Sequence, residues 1–122
     1  VTLVGARHSS SMESGYSGTE AGFMIAGEGK TIYFSGDTDV TADMGVYQAL
    51  HAPQIGILCV GGHFTMDQRR AVYACKTFFD FETVIPCHYK TFPLLAQDAE
   101  ELKAGIGAGK VREPEVMVPI EL

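Results

Sequence analysis

The alternation of apolar runs and helical segments in the second half of the chain most limits what it can fold into. Thr31–Phe34, Gln54–Val60 and Thr83–Cys87 are short β-type runs, and Gln54–Val60 is apolar almost throughout, as in a strand buried on both faces. Between the first two, Thr41–Leu50 can form a helix with Met44, Tyr47 and Leu50 on one face, and Pro53 ends it. Between the last two, Met66–Phe79 carries an inward stripe of Ala71, Cys75 and Phe78 with Val72 and Phe79. Asp67, Gln68, Arg69, Arg70 and Lys76 lie mainly outside that stripe. Thr65 is the expected N-cap of this helix, with Asp67 in its first turn. Ahead of these elements, Val1–Ala6 reads as a strand and Ser9–Thr19 as a Ser- and Gly-rich loop. Ala21–Ala26 pairs with Thr31–Phe34 as a hairpin across Gly27-Glu28-Gly29-Lys30. After them, Ala96–Ala104 reads as a short amphipathic helix and Glu115–Ile120 as a last strand. Paired strands followed by alternating helices and strands predict a layered α/β arrangement.

With 122 residues there is room for one domain. The chain starts on Val1 inside an apolar run, which is expected of a piece of a longer protein or a processed product. No stretch approaches the roughly 18 consecutive apolar residues of a membrane span, and no signal-peptide pattern is visible. A formal charge of −6 argues against nucleic acid as the main partner, since phosphate-backbone binding needs clustered Lys and Arg. Bound divalent cations would add positive charge to that balance. Cys59, Cys75 and Cys87 are odd in number and form no Cys-x-x-Cys, so they read as buried reduced thiols of a cytoplasmic protein.

The chemistry-bearing residues sit where the apolar runs stop. Asp37 follows Thr31–Phe34 through Ser35-Gly36, and its two oxygens could each take one cation. A turn or helix-capping Asp is the plainer alternative. Asp37-Thr38-Asp39-Val40-Thr41 also fits the Asp-x-Asp-x-Thr of haloacid-dehalogenase-like phosphatases, but no downstream acidic pair completes that motif. His88 ends Val84-Ile85-Pro86-Cys87, and His8 ends the first strand. Either could be a ligand, because neutral imidazole is the commonest metal ligand, or a packed, hydrogen-bonded His. His63 follows Gly61-Gly62 at the end of another strand. It is a candidate to donate a proton to a leaving group or to bind an anionic substrate, with a capping role as the alternative. His51, at a helix end beside Pro53, reads as solvated or dipole-complementing. Ser9 lacks a triad arrangement that would make it a nucleophile.

Taken together, the surroundings match a known pattern. His8-Ser9-Ser10, Ala21-Gly22-Phe23-Met24-Ile25, Lys30 through Asp39, Gly61-Gly62-His63-Phe64-Thr65-Met66 and Ile85-Pro86-Cys87-His88-Tyr89 follow one another as blocks. They resemble the metallo-β-lactamase superfamily, and within it the metal-dependent hydrolases similar to ascorbate-6-phosphate lactonase. The resemblance implies an α/β chain forming the C-terminal half of a four-layer αββα metallo-β-lactamase sandwich, a single partial domain over residues 1–122. It implies metal ligands at His8, Asp37 and His88, with Asp37 bridging two divalent ions, zinc or manganese. The family's His-x-His-x-Asp-His cluster has no counterpart here, so the remaining ligands are expected from a missing N-terminal half or a second chain. The implied activity is hydrolysis of an ester, lactone or phosphodiester bond in a small-molecule substrate by metal-activated water. The competing expectation is a non-catalytic fragment or partner subunit. Either way, strands apolar on both sides would leave one sheet face bare, and the chain alone is expected to form homo-oligomers, to aggregate or to bind its complementary half.

Overall fold

The computed structural model describes residues 1–122 apart from the Met12 side chain. A five-stranded sheet forms the framework. It is built from β1 (Thr2–Gly5), β4 (Ala21–Gly27), β5 (Lys30–Phe34), β6 (Ile55–Cys59) and β7 (Thr83–Cys87), in the order β1-β4-β5-β6-β7. The first three are antiparallel and the last two join parallel, because β5, β6 and β7 are linked through helices rather than turns. The β4–β5 hairpin closes on Gly27 paired with Lys30. The intervening Glu28 and Gly29 both have positive φ, 52° and 77°, as the tight turns that match strand twist require.

Three helices cover one face: α1 (Asp43–His51), α2 (Gln68–Thr77) and α3 (Glu100–Ile106). Met44 and Tyr47 of α1, Ala71 and Ala74 of α2 and Leu102 of α3 share a core with Met24, Tyr33, Leu58 and Val84 of the sheet. Tyr33 is the centre of an aromatic group, 5.2 Å from Phe79 and 6.0 Å from Tyr47 between ring centroids. Alternation sends the intervening residues to the opposite face. There Phe23 stacks on Phe34 at 6.3 Å, beside Leu3, Ile25, Ile32 and Ile57, and among the described residues no helix or strand covers them. Leu3 is 67 % exposed. Leu122 at the C-terminus lines a cavity on this face with Ile25, Ile32 and the buried Ile55, so the face is covered only in part.

Four sequence expectations need correction. The segment expected to be loop, Ser9–Thr19, contains a two-stranded ribbon of β2 (Ser11–Met12) and β3 (Gly15–Tyr16). Helix α2 is capped by Asp67, whose side chain accepts the Arg70 N–H at 2.8 Å, and not by Thr65. Met66 cannot start the helix because Asp67 after it is extended, with ψ 174°, and the Met66 carbonyl already accepts the Gly62 N–H at 2.9 Å. Helix α3 starts at Glu100 and not near Ala96. The Ala96 amide donates to the Gly61 carbonyl and its carbonyl accepts from Lys90, so neither is free for a helical ladder. Glu115–Ile120 forms no strand: Val116 and Met117 are 93 % and 94 % exposed. At the β7 edge it is Val111 that bridges Val84, and Pro119 has no N–H to donate.

The three cysteines are free thiols, as expected, and burial pushes Cys75 and Cys87 up to about 12. Among the described residues no helix is long and apolar enough to cross a membrane.

Candidate metal centre

Asp37 is presented by a short segment pinned on both sides. Before it, the buried Ser35 donates its N–H to the Ile57 carbonyl at 2.9 Å. Its hydroxyl accepts the Cys59 N–H at 3.1 Å, which ties the end of β5 to the end of β6. Gly36 has φ 60°, and a Cβ there would collide with the Ala21 carbonyl, so only glycine fits the approach. After it, the buried Thr38 hydroxyl accepts the Arg7 N–H at 2.9 Å while its carbonyl accepts the Met66 N–H at 2.9 Å. The Asp39 N–H then donates to the Arg7 carbonyl at 3.0 Å. Between these anchors the Asp37 carboxylate faces outward, exposed.

His88 arrives from the end of β7. The Cys87 carbonyl accepts the Val60 N–H at 3.0 Å, after which His88 turns with φ 54°. Gly61 makes room for that turn, since a Cβ at Gly61 would strike the His88 carbonyl. The result is an imidazole with Nε2 3.6 Å from Asp37 Oδ2, and with Nδ1 buried and unpartnered among the described residues.

His8 follows Arg7, whose N–H and carbonyl are both held by the Thr38–Asp39 segment. Its Nδ1 lies 2.7 Å from the Ser9 carbonyl. Donation there leaves Nε2 as the free lone pair, the arrangement a metal-binding His adopts. His8 and Asp37 line one pocket of about 240 Å³ with Ser9, Ser10, Ser17, Thr19 and Glu20. The Ser10 hydroxyl donates to Glu20 at 2.6 Å and holds that carboxyl below its usual range.

The structure thus brings Asp37 against His88 and places His8 across a pocket from Asp37. Among the described residues no three His, Cys, Asp or Glu side chains close around one point. His63 stands apart: it is exposed, has φ 58°, and packs edge-on to Phe64 at 4.4 Å. No hydrogen bond or ion pair among the described residues joins it to Asp37 or His88. His51 occupies the last turn of α1, where a basic group complements the helix dipole. Asp39 is turned away from phosphatase chemistry. Its Oδ1 accepts the Val40 N–H at 2.8 Å and its Oδ2 faces Arg70 at 3.5 Å. Sequence reasoning missed Ser35 and Thr38 as the buried clamps of Asp37. It also missed Glu20, whose only sequence signal is its place beside the hydroxyl-rich loop.

The donor set fits a divalent cation. Two donors at 2.0–2.2 Å from one ion in tetrahedral geometry stand about 3.4 Å apart. The Asp37–His88 separation of 3.6 Å is close to that and long for a direct hydrogen bond. A family model described as the beta-lactamase superfamily domain matches residues 1–89. The chain belongs to the metallo-β-lactamase superfamily. A curated relative in Dinoroseobacter shibae, called a metal-dependent hydrolase, is 64 % identical over 126 aligned positions; the alignment takes in 100 % of this chain and 55 % of the relative. A second, in Paracoccus denitrificans, is 63 % identical with the same coverage. The solved structure of a metallo hydrolase from the archaeon Ignicoccus hospitalis superposes with a TM-score of 0.78 at 38 % identity, over 93 % of this chain and 48 % of that one. This superfamily member therefore spans about half the length of the proteins it matches.

Proposed function

We propose that residues 1–122 are the C-terminal half of a four-layer αββα metal-dependent hydrolase and supply part of its dinuclear centre. The observation that carries this reading is the 3.6 Å approach of His88 Nε2 to Asp37 Oδ2 at the carboxyl ends of the strands. In this reading His8, Asp37 and His88 would help hold two divalent ions, zinc or manganese, with Asp37 serving both. The donors these three leave open come from outside the chain. The names of the relatives and their greater length support it. When bound, such ions polarise the scissile bond and acidify water.

The chain's own residues have separate tasks. Ser35, Gly36 and Thr38 fix the Asp37 carboxylate before any cation arrives, so little reorganisation is needed on binding. The hydroxyls of Ser9, Ser10, Ser17 and Thr19 line the wall on the His8 side and would orient a polar small-molecule substrate. His63, exposed after Gly61-Gly62, is the candidate to give a proton to a leaving group or to meet an anionic substituent. The bond cleaved is an ester, lactone or phosphodiester. The lactone option comes from the likeness of the Gly36–Asp39 and Gly61–Met66 blocks to ascorbate-6-phosphate lactonase-like enzymes. The intact protein would work in the cytoplasm, where three free thiols persist.

A second reading, a non-catalytic partner subunit, is favoured by the uncovered face around Phe23 and Phe34. The two separate in one experiment. The intact protein, loaded with zinc or manganese, is assayed against ester, lactone and phosphodiester panels beside its Asp37→Ala variant. Metal-dependent turnover lost in the variant supports the hydrolase; no turnover on any panel supports the subunit.

A further inference from the structure

Glu113 lies beyond the residues 1–89 matched by the family model, yet it reaches back to the segment that carries His88. Its Oε2 accepts the Tyr89 hydroxyl at 3.0 Å and the Lys90 ammonium at 2.9 Å, and its Oε1 meets Lys103 of α3. The carboxylate itself is fixed from behind. Val111 bridges Val84 of β7, and Arg112 donates its N–H to the Val84 carbonyl at 2.9 Å. Strand β7 thus seats, near its start, the residue that grips the chain just past its end.

That grip falls where the backbone needs it. His88 and Lys90 have φ of 54° and 66°, the left-handed region that side chains with a Cβ avoid unless their surroundings impose it. Tyr89 between them is buried, and the Lys90 ammonium also lies 4.9 Å from its ring centroid. The Lys90 N–H, bound to the Ala96 carbonyl at 2.8 Å, is the other tether. We propose that Glu113 is a positioning residue for His88: by holding Tyr89 and Lys90 it fixes the turn that aims the imidazole at Asp37. The Lys103 and Lys90 hydrogen bonds hold the Glu113 carboxyl down to about 2, so it stays ionised at neutral pH. Glu113 acts through His88 and has no contact with the cation. The inference rests on reading His88 as a ligand.

The test uses the intact protein and measures zinc affinity by competition with a chromophoric chelator. Hydrogen exchange across residues 88–92 is followed alongside. Glu113→Gln is expected to weaken zinc binding about tenfold, the scale of losing an orienting partner, and to speed exchange in that segment. Glu115→Gln, on the exposed tail, is expected to change neither. Tyr89→Phe removes one arm of the grip and is expected to shift affinity in the same direction, which covers the case of a Glu113 variant that does not fold. In a His88→Ala background neither substitution is expected to weaken binding further. A loss that persists in that background would mark a merely structural effect and overturn the proposal, as would unchanged affinity in Glu113→Gln and Tyr89→Phe. If His88→Ala alone kept full affinity, the ligand reading beneath the proposal would fall first.

Discussion

His88 Nε2 and Asp37 Oδ2 come within 3.6 Å although β6 lies between the strands that deliver them. Strands two places apart are separated by about 9.5 Å, so both residues must lean across the end of β6. They can do so because the chain there is Gly61, and His88 fills the space a side chain would take. Replacing Gly61 with Ala drives a methyl into the His88 carbonyl. The expected cost is about 1–3 kcal/mol of stability, read by urea unfolding of the intact protein, with weakened zinc binding in the same sample. Unchanged stability and affinity would show that the His88 turn does not depend on this contact.

Asp37→Ala in the intact protein is expected to reduce metal-dependent hydrolysis more than about 100-fold, beyond the usual loss for residues that only orient a ligand. His51→Ala is expected to leave turnover nearly unchanged, since His51 closes α1. Initial rates with cation in excess check both. Full activity in the Asp37 variant would count against a dinuclear centre.

Glu113 sets a pH dependence with a definite sign. Its carboxyl titrates at about 2 in the folded chain against an ordinary 4.5, chiefly through its bonds to Lys103 and Lys90. An acid whose pKa is lowered by folding contributes stability that is complete above about 4.5 and is lost as pH falls toward about 2. Melting temperatures measured from pH 6 to pH 2.5 should therefore fall more steeply for the wild type than for Glu113→Gln, the two curves converging at the acid end. Parallel curves would mean that the Lys90 and Lys103 contacts do not persist in solution.

The strands and their ends were legible in the sequence because burial on a sheet leaves a direct mark: β-branched and aromatic runs that stop at Asp37, Gly61 and His88. The helix boundaries were less so. Thr65 is as good a cap as Asp67 by residue type. What decides between them is that the Gly62 amide takes the Met66 carbonyl, so the helical ladder can open only after it, at Asp67. The apolar run Val116–Ile120 resembles a strand, but the segment that bridges β7 is the earlier Val111. At the site, ligand-type residues announce themselves by chemistry, whereas Ser35, Thr38 and Glu113 act through hydrogen bonds to distant segments and carry no local pattern.

The uncovered face gives a separate expectation. Exposed Leu3 and Ile25 flank half-buried Phe23 and Phe34, an apolar surface of the sort that monomers rarely leave in water. Residues 1–122 produced alone should sediment as dimers or larger species, and paired Phe23→Ser and Phe34→Ser changes should shift the population toward monomer. A monodisperse monomer at high concentration would indicate that this face needs no partner.

The most direct test of the central claim is anomalous X-ray diffraction from crystals of the intact protein grown with zinc or manganese. Two peaks are expected beside the Asp37 carboxylate, one within about 2.0–2.2 Å of a His88 nitrogen and the other within the same distance of His8. Saturating cation with no peak in reach of Asp37 and His88, or peaks held only by other residues, would contradict it.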